Sequence, residues 1–126
     1  MLELAKREGA GPATIVEIAH SQQIPARFLE SILRQLKQAG YTESVRGKKG
    51  GYVLAVPANR ITVGEIIRLI EGPFFATDNS SGNDVFNEIW GRAEAALVEV
   101  YDSVHFRRLA ERQAELSRQF VADYTI

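Results

Sequence analysis

A short stretch in the first half of the chain limits its fold more than any other. Residues 40–55 read GYTESVRGKKGGYVLA, in which two β-prone runs, Tyr41–Val45 and Tyr52–Ala55, flank a tip of glycines and cations. Glycine adopts the positive φ angles of tight turns, and aromatic and β-branched residues favour strands. The stretch therefore predicts a β-hairpin with a slim, positively charged tip at residues 46–51.

The residues before this hairpin have the pattern of a helix, a tight turn and a second helix. Thr14 is predicted to cap the first helix, with Glu17 as its capping-box partner. Gln22–Ile24 forms the turn, and Pro25 suits the first turn of the second helix, where its missing N–H costs nothing. Apolar residues then recur at helical spacing until Gly40, which suits the helix end. These apolar residues are Phe28, Leu29, Ile32, Leu33 and Leu36. A helix-turn-helix followed by such a hairpin is a winged helix-turn-helix.

The rest of the chain is predicted to be helical. Met1–Glu8 forms a short first helix, and a second capping box joins Thr62 to Glu65 at the start of another. A last helix runs from about Ser103 through Leu116. The fold class is therefore mainly α with a small β-hairpin. We predict a winged helix-turn-helix domain over residues 1–73, a flexible Asn-, Ser- and Gly-rich loop over residues 74–84, and a dimerisation helix with a C-terminal helix over residues 85–126.

The longest periodic segment is Val85–Val104, whose apolar residues recur mostly every three or four positions. A helix of roughly 20 residues is about 30 Å long, and a small winged domain has little surface left to cover it. We expect the same helix of a second chain to cover this stripe. The alternative is that the helix folds back on its own domain. The expected dimer-interface residues are Phe86, Ile89, Trp90, Ala93, Leu97, Val100 and Val104.

Composition excludes several classes of protein. The 126 residues contain no cysteine, so the chain has no disulfides, thiolate metal sites or cysteine nucleophiles. No apolar run approaches the ~20 residues of a membrane helix, and the first residues do not resemble a signal peptide. We therefore expect a cytoplasmic protein without a membrane partner.

The net charge of −1 conceals an asymmetry along the chain. Residues 1–60 carry nine Lys and Arg against five Glu, whereas residues 61–126 carry six Arg against eleven Asp and Glu. A basic first half and an acidic second half are typical of separate DNA-facing and partner-facing regions. Chance is the alternative interpretation of so small an imbalance.

Double-stranded DNA is the partner that the basic half predicts. Cations neutralise phosphates, Arg pairs bidentately with guanine, and a carboxylate accepts a hydrogen bond from cytosine. The DNA-binding candidates are Gln23, Pro25, Ala26, Arg27, Glu30, Arg34, Arg46, Gly47, Lys48, Lys49 and Tyr52. For Arg27 and Glu30 the alternative is a solvated helix face, and for the hairpin cations it is a solubilising loop. Tyr52 either contacts the DNA backbone or supports the base of the hairpin.

Nothing in the sequence indicates catalysis. There is no Ser/His/Asp set, no paired carboxylate arrangement and no phosphate-binding glycine loop, so we expect no enzyme activity and no catalytic residue. His20 and His105 lack the neighbouring ligands of a zinc site, so we expect no metal and no cofactor.

Four segments carry a resemblance to one protein family. They read IPARFLESILRQL (24–36), SVRG (44–47), GGYVLA (50–55) and ITVGEIIRLIEGP (61–73). The combination of an Arg-Gly-x-x-Gly-Gly-Tyr hairpin with a Leu-Glu-x-x-Leu helix closely resembles the Rrf2 family of bacterial winged-helix transcriptional regulators, the type that includes IscR, NsrR and CymR. The resemblance covers roughly residues 1–117. It implies a homodimeric regulator, expected to be a repressor, whose long helices cross between subunits while two winged domains bind a palindromic operator.

The chain departs from the family pattern in two places. Family members usually have a longer start to the first helix that touches DNA, whereas Met1–Ala5 corresponds to the middle of that helix. Cluster-binding members also place three cysteines between the fourth helix and the long helix, where residues 74–84 here contain none. Asp78 and Asp84 offer only oxygen ligands, which suit an iron–sulfur cluster poorly. The resemblance therefore does not extend to iron–sulfur sensing.

Two questions about partners stay open in the sequence. Trp90 and the pair Phe74-Phe75 either line a pocket for a small-molecule or protein effector or simply pack in the core. The alternative function is a winged-helix protein–protein interaction module that has lost DNA binding. Retention of Arg27 and the hairpin cations argues against this alternative.

Overall fold

A computed structural model of the chain describes residues 1–74 and 85–124, and this part is mainly helical with one two-stranded hairpin. The predicted fold class is thereby confirmed. The elements in chain order are α1 (Leu2–Lys6), α2 (Ile15–Gln22), α3 (Ala26–Gln38), β1 (Thr42–Val45), β2 (Gly51–Leu54), a 3-10 turn (Ala58–Arg60), α4 (Val63–Glu71), α5 (Val85–Asp102) and α6 (Phe106–Tyr124).

Local sequence signals set the helix-turn-helix as predicted. The Thr14 side chain accepts a hydrogen bond from the Glu17 N–H at 3.1 Å, and the Glu17 carboxylate accepts one from the Thr14 N–H at 3.4 Å. Gln23 ends α2 in the left-handed conformation with φ 54°, which turns the chain toward Pro25. The second predicted capping box is also present, since Thr62 and Glu65 exchange the same pair of bonds at the start of α4.

The hairpin is joined to the start of α2 by a short additional bridge. β1 and β2 pair antiparallel with Thr42 opposite Leu54 and Val45 opposite Gly51. On its other side, Tyr52 exchanges two backbone hydrogen bonds with Ala13, at 2.7 and 3.0 Å. The hairpin is therefore held on both sides of β2.

Two apolar clusters form the core. The first lies between α1, α2 and α3 and contains Leu4, Ala13, Ile18, Leu29, Leu33 and Leu36. The second contains Ala5, Ala58, Ile61 and Phe106. Burial of one large aliphatic or aromatic side chain stabilises a fold by about 1.5–3 kcal/mol. Burial of Phe106 therefore stabilises the packing of α6 against the winged elements. The division between residues 1–73 and 85–126 stays a prediction, and residues 75–84 of the expected loop lie outside the described residues.

The connection between α5 and α6 corrects two predicted boundaries. Asp102 accepts two hydrogen bonds from Arg68 at 2.8 and 3.2 Å, and the Val104 carbonyl accepts one from the Val63 N–H at 2.9 Å. These bonds end α5 at Asp102, so Val104 lies beyond the long helix instead of within it. The last helix begins at Phe106 and continues to Tyr124, past the expected end at Leu116.

A buried carboxylate links α1 to α2. Glu3 is only 4% exposed and accepts hydrogen bonds from Ser21 at 2.6 Å, Arg7 at 2.8 Å and Gln22 at 3.2 Å. Burial favours the protonated carboxyl and raises its pKa, but these bonds and the charge of Lys6 outweigh burial. They hold the pKa of Glu3 at about 2, below its ordinary value of 4.5.

We expect Glu3→Gln to destabilise the chain strongly at neutral pH and progressively less as the pH is lowered. The pKa of Glu3 is lower in the folded than in the unfolded chain, so its contribution is fully present above pH 4.5 and is lost as the pH falls toward 2. The lowering from 4.5 corresponds to about 3 kcal/mol. Urea unfolding of both proteins between pH 3 and 7 measures the difference.

Glu43→Gln is the matched control for this experiment. Glu43 is exposed and makes no hydrogen bond or ion pair among the described residues, so its replacement should leave the free energy of unfolding unchanged. A difference between wild type and Glu3→Gln that does not shrink toward low pH would contradict the role given to the carboxylate.

Candidate nucleic-acid interface

Helix α3 has one buried and one exposed face. Leu29, Leu33 and Leu36 are buried, which turns Arg27 and Glu30 to solvent as the sequence predicted. The side chain of Arg27 has no hydrogen bond or ion pair among the described residues. The exposed face of α3 therefore offers a free guanidinium close to the N-terminal end of the helix, the end that reaches base edges in helix-turn-helix proteins.

The other predicted residues of α3 and of the preceding turn are also exposed. Gln23, Pro25 and Ala26 lie at the start of the helix on its solvent side. The Arg34 guanidinium is 3.8 Å from the Glu30 carboxylate, and both side chains are about two-thirds exposed. Such surface pairs are weak, so either side chain can exchange its partner for DNA at little cost.

Phe28 corrects the predicted apolar stripe of α3. The sequence placed Phe28 with the core residues, but its side chain is 62% exposed. The reason is geometric: Leu29, Leu33 and Leu36 follow the spacing that faces the core, and Phe28 is rotated by about 100° from Leu29. Sequence periodicity alone does not reveal this, because Phe28 also lies four residues before the half-buried Ile32.

The tip of the hairpin is a tight turn with two lysines at its corners. The Gly50 N–H donates to the Gly47 carbonyl at 3.0 Å, which encloses Lys48 and Lys49. Gly47 has φ 117°, and a Cβ at Gly50 would collide with the Val45 carbonyl oxygen. The turn therefore requires these glycines, and it presents both lysine side chains to solvent.

The tip cations have no acidic partners in the part of the chain that the structure describes. Arg46, Lys48 and Lys49 are exposed and make no ion pair or hydrogen bond there. By contrast, Arg68 and Arg107 are each bound to a carboxylate. An unpaired cation gives up only water when it meets a phosphate, so the tip is well suited to a polyanion.

The base of the hairpin is fixed in position. The Lys37 ammonium donates to Ser44 Oγ at 2.7 Å, which connects α3 to β1. Tyr52 is half-buried and packs against the first core cluster, in agreement with a supporting role. Contact of Tyr52 with DNA stays a prediction.

Helix α5 exposes the expected stripe, since none of its residues is buried. The rings of Phe86 and Trp90 stack with centroids 6.1 Å apart, and Trp90 is half exposed instead of lying in the core of the single chain. Leu97 is half-buried. The exposed members of the predicted set are Phe86, Ile89, Trp90, Ala93 and Val100.

The described residues give little support to an effector pocket beside Trp90. The Phe74 ring packs on Tyr101 at 5.4 Å between centroids, and Arg68 Cζ lies 5.3 Å from the centroid of the Phe74 ring. Phe75 lies outside the described residues. No group of three or more His, Asp or Glu side chains comes together within residues 1–74 and 85–124, and His20 and His105 are both exposed.

Comparison with known proteins gives a consistent result. Residues 1–112 match the Rrf2 family, described as iron-dependent transcriptional regulators. The chain is 38% identical over 111 residues to the HTH-type transcriptional regulator CymR of Bacillus subtilis, which covers 87% of this chain and 80% of CymR. It is 32% identical over 120 residues to the regulator IscR of Cereibacter sphaeroides, which covers 87% and 76%.

Solved structures agree with these sequence matches. The structure of CymR, the global cysteine regulator of B. subtilis, superposes with a TM-score of 0.81 at 37% identity and covers 88% of this chain and 87% of its own. The structure of T. potens IscR superposes with a TM-score of 0.77 at 33% identity, covering 88% and 78%.

The family description implies iron, which the residues of this chain do not fit as a cluster. Iron–sulfur clusters are held by cysteine thiolates, and the sequence contains none. Asp78 and Asp84 lie outside the described residues and offer only hard oxygen ligands. The donor set therefore does not fit an iron–sulfur cluster.

The matched proteins are regulators of transcription, which confirms the expectation that the chain is not an enzyme. Among the described residues, no helix is both long and apolar enough to cross a membrane. The sequence match, the superposed structures and the helix-turn-helix with its cationic hairpin lead to one conclusion. The chain belongs to the Rrf2 family of winged-helix, DNA-binding transcriptional regulators.

Proposed function

We propose that the chain acts as a homodimeric repressor on a palindromic DNA operator and works without an iron–sulfur cluster. In this proposal α3 lies in the major groove and the hairpin tip follows the adjacent backbone or minor groove. The observation that carries it is the glycine-fixed tip, where Arg46, Lys48 and Lys49 have no acidic partner among the described residues. A dimer bound to a promoter blocks access of RNA polymerase. Repression of transcription is therefore the proposed effect of binding.

Affinity and specificity have separate sources in this proposal. The tip cations release counterions from the phosphates and bind every sequence alike. Arg27 and Glu30 on α3 face the base edges, where Arg suits guanine and a carboxylate suits the amino group of cytosine. Arg34, Gln23, Pro25, Ala26 and Gly47 position the helix and the tip against the backbone.

The apolar face of α5 supports the proposed dimer. The helix has 18 residues and is about 27 Å long, and its exposed stripe would be buried by the same stripe of a second chain. Two-fold symmetry of the protein requires a two-fold symmetric operator, with half-sites about 34–36 Å apart for adjacent major grooves.

The signal that controls binding is proposed to be a small molecule or a protein partner. A chain without cysteine has neither the thiolates that hold a cluster nor a thiol that could be oxidised. Repeated selection of DNA from a random duplex library tests the proposed function directly. Enrichment of an inverted repeat supports it, whereas failure to enrich any sequence would favour the protein–protein interaction module.

We expect the double variant Lys48→Ala/Lys49→Ala to weaken binding to all duplexes. Each subunit loses two phosphate contacts and the dimer loses four, so the slope of log K against log salt should become shallower by about 3.6. Fluorescence anisotropy across a salt series on selected and random duplexes measures this slope. Arg118→Ala is the control, because Arg118 is an exposed cation on α6, and its slope should equal that of the wild type. An unchanged slope in the lysine variant would mean that the tip lysines do not contact the phosphate backbone.

Arg27→Ala should act on specificity as well as affinity. If Arg27 pairs with guanine, the variant loses about 1–3 kcal/mol per half-site on the selected duplex and tolerates any base at one position of each half-site. Binding to single-base variants of the selected duplex gives both quantities. Equal losses on selected and random DNA would instead make Arg27 a phosphate contact.

We expect Val100→Glu to convert the dimer to a folded monomer. Val100 is 61% exposed in the single chain, so the charge is tolerated there, but at a two-fold seam the carboxylates would be buried without partners. Light scattering at micromolar concentration measures the mass, and circular dichroism checks the fold. Val16→Glu is the control, since Val16 is 73% exposed on α2 and should leave the dimer intact. If the wild type is a monomer, or if Val100→Glu remains a dimer, then α5 does not form the proposed interface.

A further inference from the structure

Helix α3 carries an exposed aromatic ring. Phe28 is the third residue of α3, and 62% of its surface is accessible. It is the one large apolar side chain of α3 found exposed, while Leu29, Leu33 and Leu36 fill the core. Phenylalanine has no hydrogen-bonding group, so no hydrogen bond to water offsets the unfavourable exposure of this apolar ring.

The position of Phe28 relative to its neighbours places it beside the free guanidinium. Successive residues of a helix are rotated by about 100°, so Phe28 and Glu30 flank the direction in which Arg27 points. Lys37, on the flank of Glu30, is bonded to Ser44 in the hairpin at 2.7 Å. The ring therefore lies on the flank of α3 away from the hairpin, close to the helix N-terminus.

We propose that Phe28 is a specificity-determining residue that packs against the 5-methyl group of a thymine in the major groove. This inference rests on the proposed function, since it needs α3 in that groove. The thymine methyl is the apolar group that a base pair presents there, whereas the other edges present donors and acceptors. A ring without donors or acceptors would leave those polar edges unpaired, so it selects thymine over cytosine, adenine and guanine.

The size of the effect follows from the burial of one methyl group. Burying one CH₂-sized group is worth about 0.8 kcal/mol, which corresponds to about a fourfold change in the dissociation constant. A symmetric operator contains the contact twice. Removing the methyl from both half-sites should therefore weaken binding by about 15-fold.

Replacement of thymine by deoxyuridine isolates this contact, because it removes the methyl and leaves every hydrogen-bonding edge in place. The probe is the duplex enriched by wild-type protein from a random library, with each thymine replaced in turn by deoxyuridine. We expect one symmetric position at which wild-type protein loses about fourfold per half-site. At that position Phe28→Ala should bind the thymine and uracil duplexes equally.

Two further variants keep the experiment decisive. Phe28→Leu retains an apolar side chain, so it should keep part of the loss of affinity that wild-type protein shows when thymine is replaced by uracil. This variant provides the test if Phe28→Ala binds DNA too weakly to measure. Phe120→Ala is the matched control: Phe120 is 63% exposed but lies on α6, so this variant should show the full wild-type penalty.

The possible results distinguish failure of the Phe28–thymine contact from failure of the proposed DNA-binding function. If no sequence is enriched, the proposed function itself fails. If an inverted repeat is enriched but no uracil substitution weakens wild-type binding, the function stands and Phe28 does not read a methyl. A penalty that persists undiminished in Phe28→Ala would assign the methyl contact to another residue and overturn the inference as well.

Discussion

The backbone pairing of Ala13 with Tyr52 is the contact on which the arrangement of the winged domain depends. Two hydrogen bonds of 2.7 and 3.0 Å join Ala13, two residues before α2, to the second strand of the hairpin. They require the chain to pass so closely that a Cβ at Gly51 would collide with the Ala13 carbonyl. Since the Lys37–Ser44 bond connects α3 to the first strand, the hairpin is held to both helices of the helix-turn-helix. Its tip can then meet DNA in a fixed relation to α3.

Charge is used in two different ways in this chain. Arg7, Arg68 and Arg107 each bind a carboxylate and hold elements together. On α3 and the hairpin tip, Arg27 and the two tip lysines lack such partners among the described residues. A pairing that stabilises the fold would have to be broken before a phosphate could bind. Leaving these cations unpaired avoids that desolvation and exchange cost, at little loss because surface pairs contribute little to folding.

The exposed apolar side chains of α5 and α3 indicate contacts with other molecules. Large apolar patches are uncommon on soluble monomers and usually mark a contact with another molecule. The stripe of α5 is long and continuous, which suits a second helix, whereas Phe28 is the single large apolar side chain on the exposed face of α3. The two features therefore fit partners of different kinds: a second copy of the chain for α5, and one base of a DNA groove for Phe28.

Elements whose causes are local could be predicted from the sequence. The capping boxes at Thr14 and Thr62, the glycine-rich hairpin tip and the exposed positions of Arg27 and Glu30 were all predictable, because each depends on residues within one or two helical turns. The sequence did not determine contacts between distant segments. Glu3 receives its hydrogen bonds from α2, Val104 leaves the helix to pair with Val63, and Phe106 enters the core beside Ala58. Phe28 was misplaced for the same reason: helical spacing allows it on either side of the stripe, and only the packing of α3 against its neighbours decides which rings are covered.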